Sequence, residues 1–520
     1  MFLPLYFIIA ATTPLTESKY SVNPPVECTT GSTNHQSDPN YNYSSKPLFP
    51  SSISHLPSST EVAISPTYNL QPTTTIRPPD APSPYEPIPV VPYNIMEIEK
   101  ASGTWFGQRD WVTAHGIDFS IAYTSNIAGN PVGGIQPGGF TYADVFACAC
   151  LLNTEKLFGW HGGYFTISSL LLDGSSLSQK NIGNLFGVQR VYGSIQTINF
   201  NELSYEQKFC NDSASIKSGR LVAGYEFAFS PLNFFYMNTG IDGNPQALWM
   251  NGRMPSYFNA SWGSRLKVDL PGSTVARLGA YQITPISRNG LNWDFYPNDG
   301  VMLMAQYGWN PEFFKPSAPS TNSDDTKNNI TESSPKKVNS SDQASKNTAN
   351  TPSPKGFAGH YWMGGYYSTW EYPQFNSGAQ ASNFYALYWH GDQTVYRPNR
   401  MNNTGLILWS DTVLCPQQNI ALIPFQFNAG AIYTGLIPGR KQDNTIFGVV
   451  YGNFSTTYAS VLQQYGQGNP TYELIYEFGY RINITKFAYV QPDLQWIINP
   501  GGTGNIPNAV VIGAQTGIVF

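Results

Sequence analysis

The feature that most constrains this fold is an alternation of apolar and polar residues. In the segment TYELIYEFGYRIN, residues 471–483, every second residue from Tyr472 is apolar, whereas the positions between them include Glu473, Glu477 and Arg481. A period of two is typical of a β-strand with one apolar and one polar face. Roughly sixteen such segments, each ~10 residues long, follow one another from about residue 116 to residue 520. The pattern therefore predicts an all-β fold of many antiparallel strands.

Composition indicates which face of these strands meets water. Charged residues make up 12% of the 520 residues, about half of the usual ~25%, while aromatic residues reach 14%. A soluble sandwich should have inward faces rich in Val, Ile and Leu, but here the apolar faces carry Tyr, Trp and Phe. Because no apolar run reaches the ~18–20 residues of a membrane helix, we predict a transmembrane antiparallel β-barrel of about sixteen strands. Its apolar face would contact lipid and its polar face would surround water.

Three parts of the chain lie outside this pattern. Residues 1–20 contain an apolar run like that of a signal segment, but Lys19 is the first basic residue, so a mis-assigned start would also explain the run. Residues 21–95 are rich in Pro, Ser and Thr, and we expect a disordered arm there. Residues 96–520 form the predicted barrel domain, which contains a low-complexity insertion at 317–355. Both low-complexity stretches are interpreted as spacers.

The ionisable and sulfur-containing residues exclude several function classes. A net charge of −5 gives no reason to expect nucleic acid. The five cysteines are too few for a disulfide framework in a chain of this length; Cys210 and Cys415 could pair, but the sequence leaves this open. Cys148 and Cys150 have the wrong spacing for a zinc or redox motif.

Catalytic motifs are absent from the sequence. The six histidines are scattered without an HExxH motif, and there is no GxSxG elbow or phosphate loop. His390 and Asp392 lie close together, but no serine motif accompanies them, and we interpret the pair as a polar strand end. We therefore predict that the protein is not an enzyme and uses no metal or other cofactor.

The segment YVQPDLQWIINPGG, followed by a last strand that ends in Phe, is the most specific of several motifs between about Gly103 and Phe520. Through these motifs the chain resembles the carbohydrate-selective outer-membrane porins, the OprB family. The segment GTWFGQRDWVTAHGIDFSIAYTSNIAGNPVGG is similar to the family's opening, although Phe106 stands where Gly is expected. Further similar segments are EKLFGWHGGYFTISSLLLDGSSLS, KSGRL, NDGVMLMAQYGWNPEF and GLILWSD.

The resemblance implies a sixteen-stranded channel in the Gram-negative outer membrane that passes monosaccharides and similar neutral carbohydrates such as glucose. The channel would be a monomer or a homotrimer, surrounded by lipid and lipopolysaccharide. The long arm and the insertion depart from the family pattern, and we expect the arm to be able to reach peptidoglycan.

Strand parity assigns each connection to one side of the membrane. If Phe520 ends at the periplasmic rim, the 317–355 insertion is periplasmic and residues 230–259 form the third extracellular loop, because antiparallel strands alternate in direction. Barrels of this width leave an aqueous channel, which a loop folded inward can narrow.

Candidate pore residues follow from the chemistry of a neutral sugar. Its hydroxyl groups need planar donors, acceptors and an aromatic surface to stack on. Arg253, with Trp249 and Asp242 nearby in the third loop, has this chemistry. An alternative is that opposite charges on neighbouring strands merely neutralise one another. The wall residues predicted to face the lumen are Arg220, Glu226, Arg265, Lys267, Arg277, Glu473, Glu477, Arg481, Gln491 and Asp493.

The predicted function is passive diffusion of neutral sugars into the periplasm. Two alternatives are a barrel that serves adhesion or envelope anchoring, and a soluble lectin-like β protein. Detergent dependence separates the barrel from the lectin, and solute flux separates the porin from the anchor.

Overall fold

A computed structural model describes residues 98–193, 197–283, 290–291, 294–295, 300–314 and 356–520. The segments 1–20, 21–95 and 317–355, for which a signal, an arm and an insertion were predicted, lie outside these residues. Within the described ranges, sixteen long strands account for most of the chain. They are β1 (Ile117–Val132), β2 (Gly139–Asn153), β3 (Gly163–Gly174), β4 (Ile198–Phe209), β5 (Ala214–Leu221), β6 (Ser261–Leu270), β7 (Thr274–Gln282), β8 (Val301–Trp309), β9 (Phe357–Ser368), β10 (Phe384–Tyr396), β11 (Gly405–Leu414), β12 (Phe425–Thr434), β13 (Asn444–Asn453), β14 (Tyr472–Asn483), β15 (Ala488–Ile498) and β16 (Ala509–Val519).

The strands form a closed barrel. Each strand pairs antiparallel with the next along the chain, and β1 pairs with β16 through partners such as Ala122 and Val519. Closure leaves no unpaired edge. A strand in a bilayer must be paired on both edges because lipid offers no hydrogen-bond partner to backbone groups. The predicted fold class is confirmed.

The helices of the described residues are short. They are α1 (Gln108–Ala114), α2 (Thr154–Phe158), α3 (Gln246–Gly252) and α4 (Thr456–Gln464). None of the helices in this part of the chain combines the length and the apolar character that crossing a bilayer requires.

The two ends of the barrel differ in their connections. The long-loop end carries residues 133–138, 175–197, 222–260, 283–300, 369–383, 415–424, 454–471 and 499–508. The short-turn end carries 154–162, 210–213, 271–273, 397–404, 435–443 and 484–487, together with 310–356, which joins β8 to β9. Outer-membrane barrels place long loops outside the cell and short turns in the periplasm. The loop that contains 230–259 is the third at the long-loop end, as parity predicts.

The two faces of the wall have opposite character. On β14, Glu473 and Glu477 point inward and are fully buried, whereas Phe478 points outward and is 47% exposed. On β15, Gln495 is inward and buried, and Trp496 is outward. The alternation in the sequence therefore corresponds to an apolar outer surface and a polar lumen.

The segment before β1 closes over the end of β16. The main-chain N–H of Ala101 donates to Val519 O at 2.7 Å, and Arg109 on α1 donates to the main-chain oxygens of Phe520 and Phe119 at 2.8 and 3.0 Å. Arg109, which lies in the segment similar to the family's opening, thus connects the first and last parts of the barrel. Phe106 has a φ of 58°, a left-handed conformation that glycine adopts without strain.

The cysteines of the described residues are unpaired. Cys210 lies in a short turn, whereas Cys415 follows β11 at the long-loop end. The two are at opposite ends of the barrel, so the pairing left open by the sequence does not occur. Cys148 and Cys150 share the outward face of β2, as their spacing predicts.

Candidate functional site

The third long loop, residues 222–260, folds into the lumen; we call it the constriction loop. Ala247 N on this loop donates to Gln426 Oε1 at 2.7 Å, and Asn428 Nδ2 donates to Gly240 O at 2.8 Å. Because Gln426 and Asn428 are inward residues of β12, the loop packs against the inside of the wall. It narrows the channel and also contacts the opposite wall, since Ala228 N donates to Gln306 Oε1 on β8 at 2.9 Å and Leu248 O accepts from Tyr366 Oη on β9 at 2.7 Å.

Two buried glutamates of β14 hold the inward-folded loops. The Glu477 carboxylate accepts from Met237 N at 2.5 Å and from Asn238 N at 3.1 Å, both in the constriction loop. Glu473 accepts from Leu185 N at 2.9 Å and Phe186 N at 2.9 Å, in loop 175–197. Both side chains are inward, as predicted, but their oxygens bind backbone N–H groups of the loops. Their contacts therefore give them a positioning role.

Arg481 and Gln491 also contact the constriction loop. Arg481 Nη2 donates to Phe234 O at 2.8 Å, and its guanidinium lies over the ring of Phe235 at 4.3 Å. Gln491 accepts from Arg481 Nε at 2.8 Å and donates to Phe235 O at 2.7 Å. Asp493, also buried, accepts from Gln495 Nε2 at 3.1 Å. These predicted lumen residues bind the loop and one another.

Asp242 forms a buried ion pair that the sequence did not predict. Arg190, from loop 175–197, donates to Asp242 Oδ1 at 2.6 Å and to Gln515 Oε1 at 2.5 Å. Both charged side chains are almost fully buried. Burial lowers the pKa of Arg190, but the Asp242 carboxylate outweighs this and raises it, so the pair stays ionised. It joins two loops to the wall, and no sequence motif distinguishes Arg190 from any other loop arginine.

A cluster of opposite charges connects strands β4, β5 and β6 with the constriction loop. Lys217 Nζ lies 2.7 Å from Glu202 and 3.4 Å from Glu226. Arg265 lies 2.9 Å from Glu226 and 3.1 Å from Glu206. The neighbouring-strand pairing considered from the sequence is thus present, although Lys217, Glu202 and Glu206 were not among the predicted site residues. We call these five residues the wall cluster.

Glu226 lies in the constriction loop, just after a short 3₁₀ helix (Ala223–Tyr225), and not in the wall as predicted. It reaches the wall because its carboxylate pairs with Lys217 and Arg265. Burial raises the pKa of Glu226, but these two cations lower it more strongly, to about 2.

A pH dependence follows from Glu226. Because its pKa falls from 4.5 to about 2 on folding, the ionised group stabilises the fold above pH 4.5, and this stabilisation is lost as the pH falls towards 2. Glu226→Gln should therefore lower the thermal unfolding temperature at pH 7, and the difference from wild type should shrink between pH 4.5 and 2. Glu371→Gln, at an exposed loop glutamate, is the control. A difference that stays constant with pH would contradict the assignment.

Arg277 and Lys267 face the lumen on adjacent strands. They are direct partners in the β6–β7 register, and Lys267 Nζ lies 3.1 Å from Asp269 near the short-turn end. Arg277 makes no ion pair with any residue that the structure describes, and its Nε has no hydrogen-bond partner there. Its side chain is half-buried, so its terminal nitrogens, and not the buried Nε, are the donors that a solute can reach.

Arg220 departs from the prediction. It is buried at the end of β5, where Gly219 has a φ of 139°, and it stands opposite Trp262 in the β5–β6 register. Its side chain therefore packs within the protein and does not line the open lumen. Arg220 Nη2 donates to Ala260 O at 3.0 Å.

Arg253 lies at the C-terminal cap of α3 and is exposed. Its guanidinium lies 5.1 Å from the centre of the Trp370 ring, in loop 369–383. Trp249, on α3, is buried in the packing of the loop. The structure therefore separates Arg253 from Trp249 and Asp242, which the sequence had grouped.

Two histidines and two aspartates on β9 to β11 form a continuous series of contacts, which we call the histidine–aspartate series. His390 lies 2.5 Å from Asp411 and 3.0 Å from Asp392, and Asp392 lies 2.8 Å from His360. The constriction loop contacts the histidine–aspartate series through Asn233 Nδ2, which lies 3.4 Å from Asp411. The His390–x–Asp392 spacing placed two of these residues on one face, but only pairing with β9 and β11 brought in the others. No three metal-ligating residues that could hold an ion lie together in the part of the chain described.

Comparison with known proteins agrees with this architecture. The sequence model of the "Carbohydrate-selective porin, OprB family" matches residues 138–520. "Porin B" of Pseudomonas aeruginosa is 23% identical over 456 residues, which cover 80% of this chain and 90% of that protein. The fold is similar to that of Pseudomonas putida OprB: its high-pH structure has a TM-score of 0.70 and 22% identity, covering 82% of this chain and 99% of that one. The low-pH structure has a TM-score of 0.50 and 19% identity, with the same coverage. This family contains channels and not enzymes, and this chain, an outer-membrane β-barrel whose lumen is narrowed by its third long loop, belongs to the carbohydrate-selective porins of the OprB family.

Proposed function

We propose that the protein lets monosaccharides and similar neutral carbohydrates diffuse passively into the periplasm. Support comes first from the family, which is one of carbohydrate-selective porins. It comes second from the lumen, because a loop packed inside the barrel narrows a wide pore to a smaller passage. A passage of this kind forces a solute to contact wall side chains.

The single observation that carries the proposal is the charge balance of that wall. Lys217, Arg265 and Arg277 supply three cations, and the carboxylates of the cluster, Glu202, Glu206 and Glu226, are equal in number. A balanced wall gives no net attraction to an ion of either sign, yet it presents donors and acceptors together. Sugar hydroxyl groups are both donors and acceptors, so they can exchange hydrogen bonds with water for hydrogen bonds with these groups at little net change in free energy. The resulting binding is weak, as permeation requires.

Arg277 is the wall residue we assign to sugar contact. Lys217 and Arg265 of the wall cluster are committed to ion pairs, whereas no described residue forms a hydrogen bond with the terminal nitrogens of Arg277. A planar guanidinium can bind two hydroxyl oxygens of one sugar ring. Arg253, next to Trp370 at the long-loop end, is retained as an outer contact on the way in.

Liposome swelling tests the proposal. Proteoliposomes should swell rapidly in glucose, more slowly in sucrose, and more slowly in glutamate than in glucose. Arg277→Gln should reduce glucose-driven swelling severalfold, since it removes a charge-assisted donor worth about 1.5–3 kcal/mol.

Lys486→Gln, at an exposed lysine of a short turn, is the matched control and should swell as wild type does. Absence of swelling in every solute would instead favour the anchoring barrel. Equal rates for glucose and glutamate would remove the neutral-solute preference.

A further inference from the structure

An apolar groove lies on the outer surface of the barrel at the short-turn end. It has a volume of about 360 Å³ and is lined by Phe313, Phe314, Phe357, Gln393, Thr394 and Val395. Phe357, the first residue of β9, pairs with Phe313. Val395 and Phe314 are 41% and 74% exposed. The groove therefore opens away from the lumen, on the surface that faces the bilayer.

A cation stands at the rim of this groove. The Arg400 guanidinium, from turn 397–404, lies 5.2 Å from the centre of the Phe357 ring, and its Nη1 donates to Phe314 O at 2.7 Å. The other guanidinium nitrogens make no hydrogen bond to any residue that the structure describes. The carboxylate of Glu312, next to Phe313, accepts from Gly356 N at 2.8 Å. Arg400 is thus oriented by two contacts and keeps donors free.

We propose that the groove binds one glycerophospholipid, with an acyl chain against Phe357 and Val395 and the phosphate on Arg400. An apolar groove topped by a guanidinium complements a molecule whose hydrocarbon chain ends in an anion. Guanidinium binds phosphate through two parallel hydrogen bonds. The height in the membrane also fits, since Trp309 and Tyr396 are exposed beside the groove, and exposed aromatic residues mark the headgroup level of a barrel.

The occupant is a phospholipid of the leaflet at the short-turn end. A free phosphate ion would use Arg400 but not the aromatic floor, and a diacylglycerol would use the floor but not Arg400. The proposal needs only the barrel in its membrane and is independent of the solute that the lumen passes.

Native mass spectrometry of the full chain in detergent tests this proposal, with 1-palmitoyl-2-oleoyl-phosphatidylglycerol as the probe. Wild type should retain one phospholipid per barrel. Arg400→Gln should weaken retention about tenfold, as expected for loss of charge-assisted hydrogen bonds. Lys441→Gln removes a basic charge from the exposed surface of the next short turn and should leave retention unchanged. Val395→Trp, which fills the groove, should abolish retention.

Three outcomes would overturn the proposal: equal retention by wild type and Arg400→Gln, equal retention of phosphatidylglycerol and diacylglycerol, or displacement of the lipid by millimolar inorganic phosphate. Heat-modifiable gel mobility shows that each variant is folded. Glucose-driven swelling should be unchanged in all of them, so failure here is distinct from failure of the proposed function.

Discussion

Arg190→Met is expected to raise single-channel conductance and to destabilise the inward packing of the loops by about 3–5 kcal/mol, the typical cost of leaving one partner of a buried ion pair uncompensated. Asp242 would then be buried without its guanidinium, which lies 2.6 Å away in the wild type. The same change removes the hydrogen bond to Gln515 that fixes loop 175–197 to β16. We expect the two loops to separate from the wall and the pore to widen. Planar-bilayer recordings measure the conductance, and thermal unfolding measures the stability.

The matched controls use the same loop and the same pair. Lys180→Met removes an exposed cation from loop 175–197 and should change neither quantity. The double variant Arg190→Met/Asp242→Asn should recover part of the lost stability, because no buried charge is then left unpaired. Wild-type conductance and stability in Arg190→Met would show that the pair does not hold the loops.

Lys217→Met is expected to make the channel cation-selective. Its ammonium lies between Glu202 and Glu226 at 2.7 and 3.4 Å. Its loss leaves Arg265 and Arg277 opposite the three carboxylates of the wall cluster, a surplus of one negative charge. A unit charge about 4 Å from a permeating ion in water contributes about 1 kcal/mol, which corresponds to about a fivefold change in the ratio of cation to anion permeability. The reversal potential in a KCl gradient measures this ratio, and the effect should decrease at high salt.

Lys486→Met is the control for Lys217→Met, since it removes the same charge from an exposed short turn. It should leave the reversal potential unchanged. If both variants shift the potential equally, the effect comes from overall charge and not from the wall cluster. A shift towards anion selectivity would contradict the placement of Lys217 in the lumen.

The inward position of Glu473, Glu477, Arg481, Gln491 and Asp493 could be predicted because side chains alternate across a strand. What their oxygens and nitrogens bind could not be predicted in this way. Glu477 accepts from backbone groups of a loop about 240 residues earlier in the chain, and no local pattern encodes such a contact. These residues therefore position the loops, while the charges on the lumen face of the wall also include Lys217 and Glu206, which the sequence did not single out.

Alternation and aromatic content by themselves determined the barrel, its apolar exterior and the parity of its ends, because each depends only on the two-residue period of a strand. The tertiary structure alone decided that the third loop enters the lumen, that Arg190 pairs with Asp242 and that no described residue forms an ion pair with Arg277. Those features depend on which side chains of distant strands and loops meet in space. A backbone of fixed periodicity specifies where a side chain points, but its partner is specified only when the barrel closes.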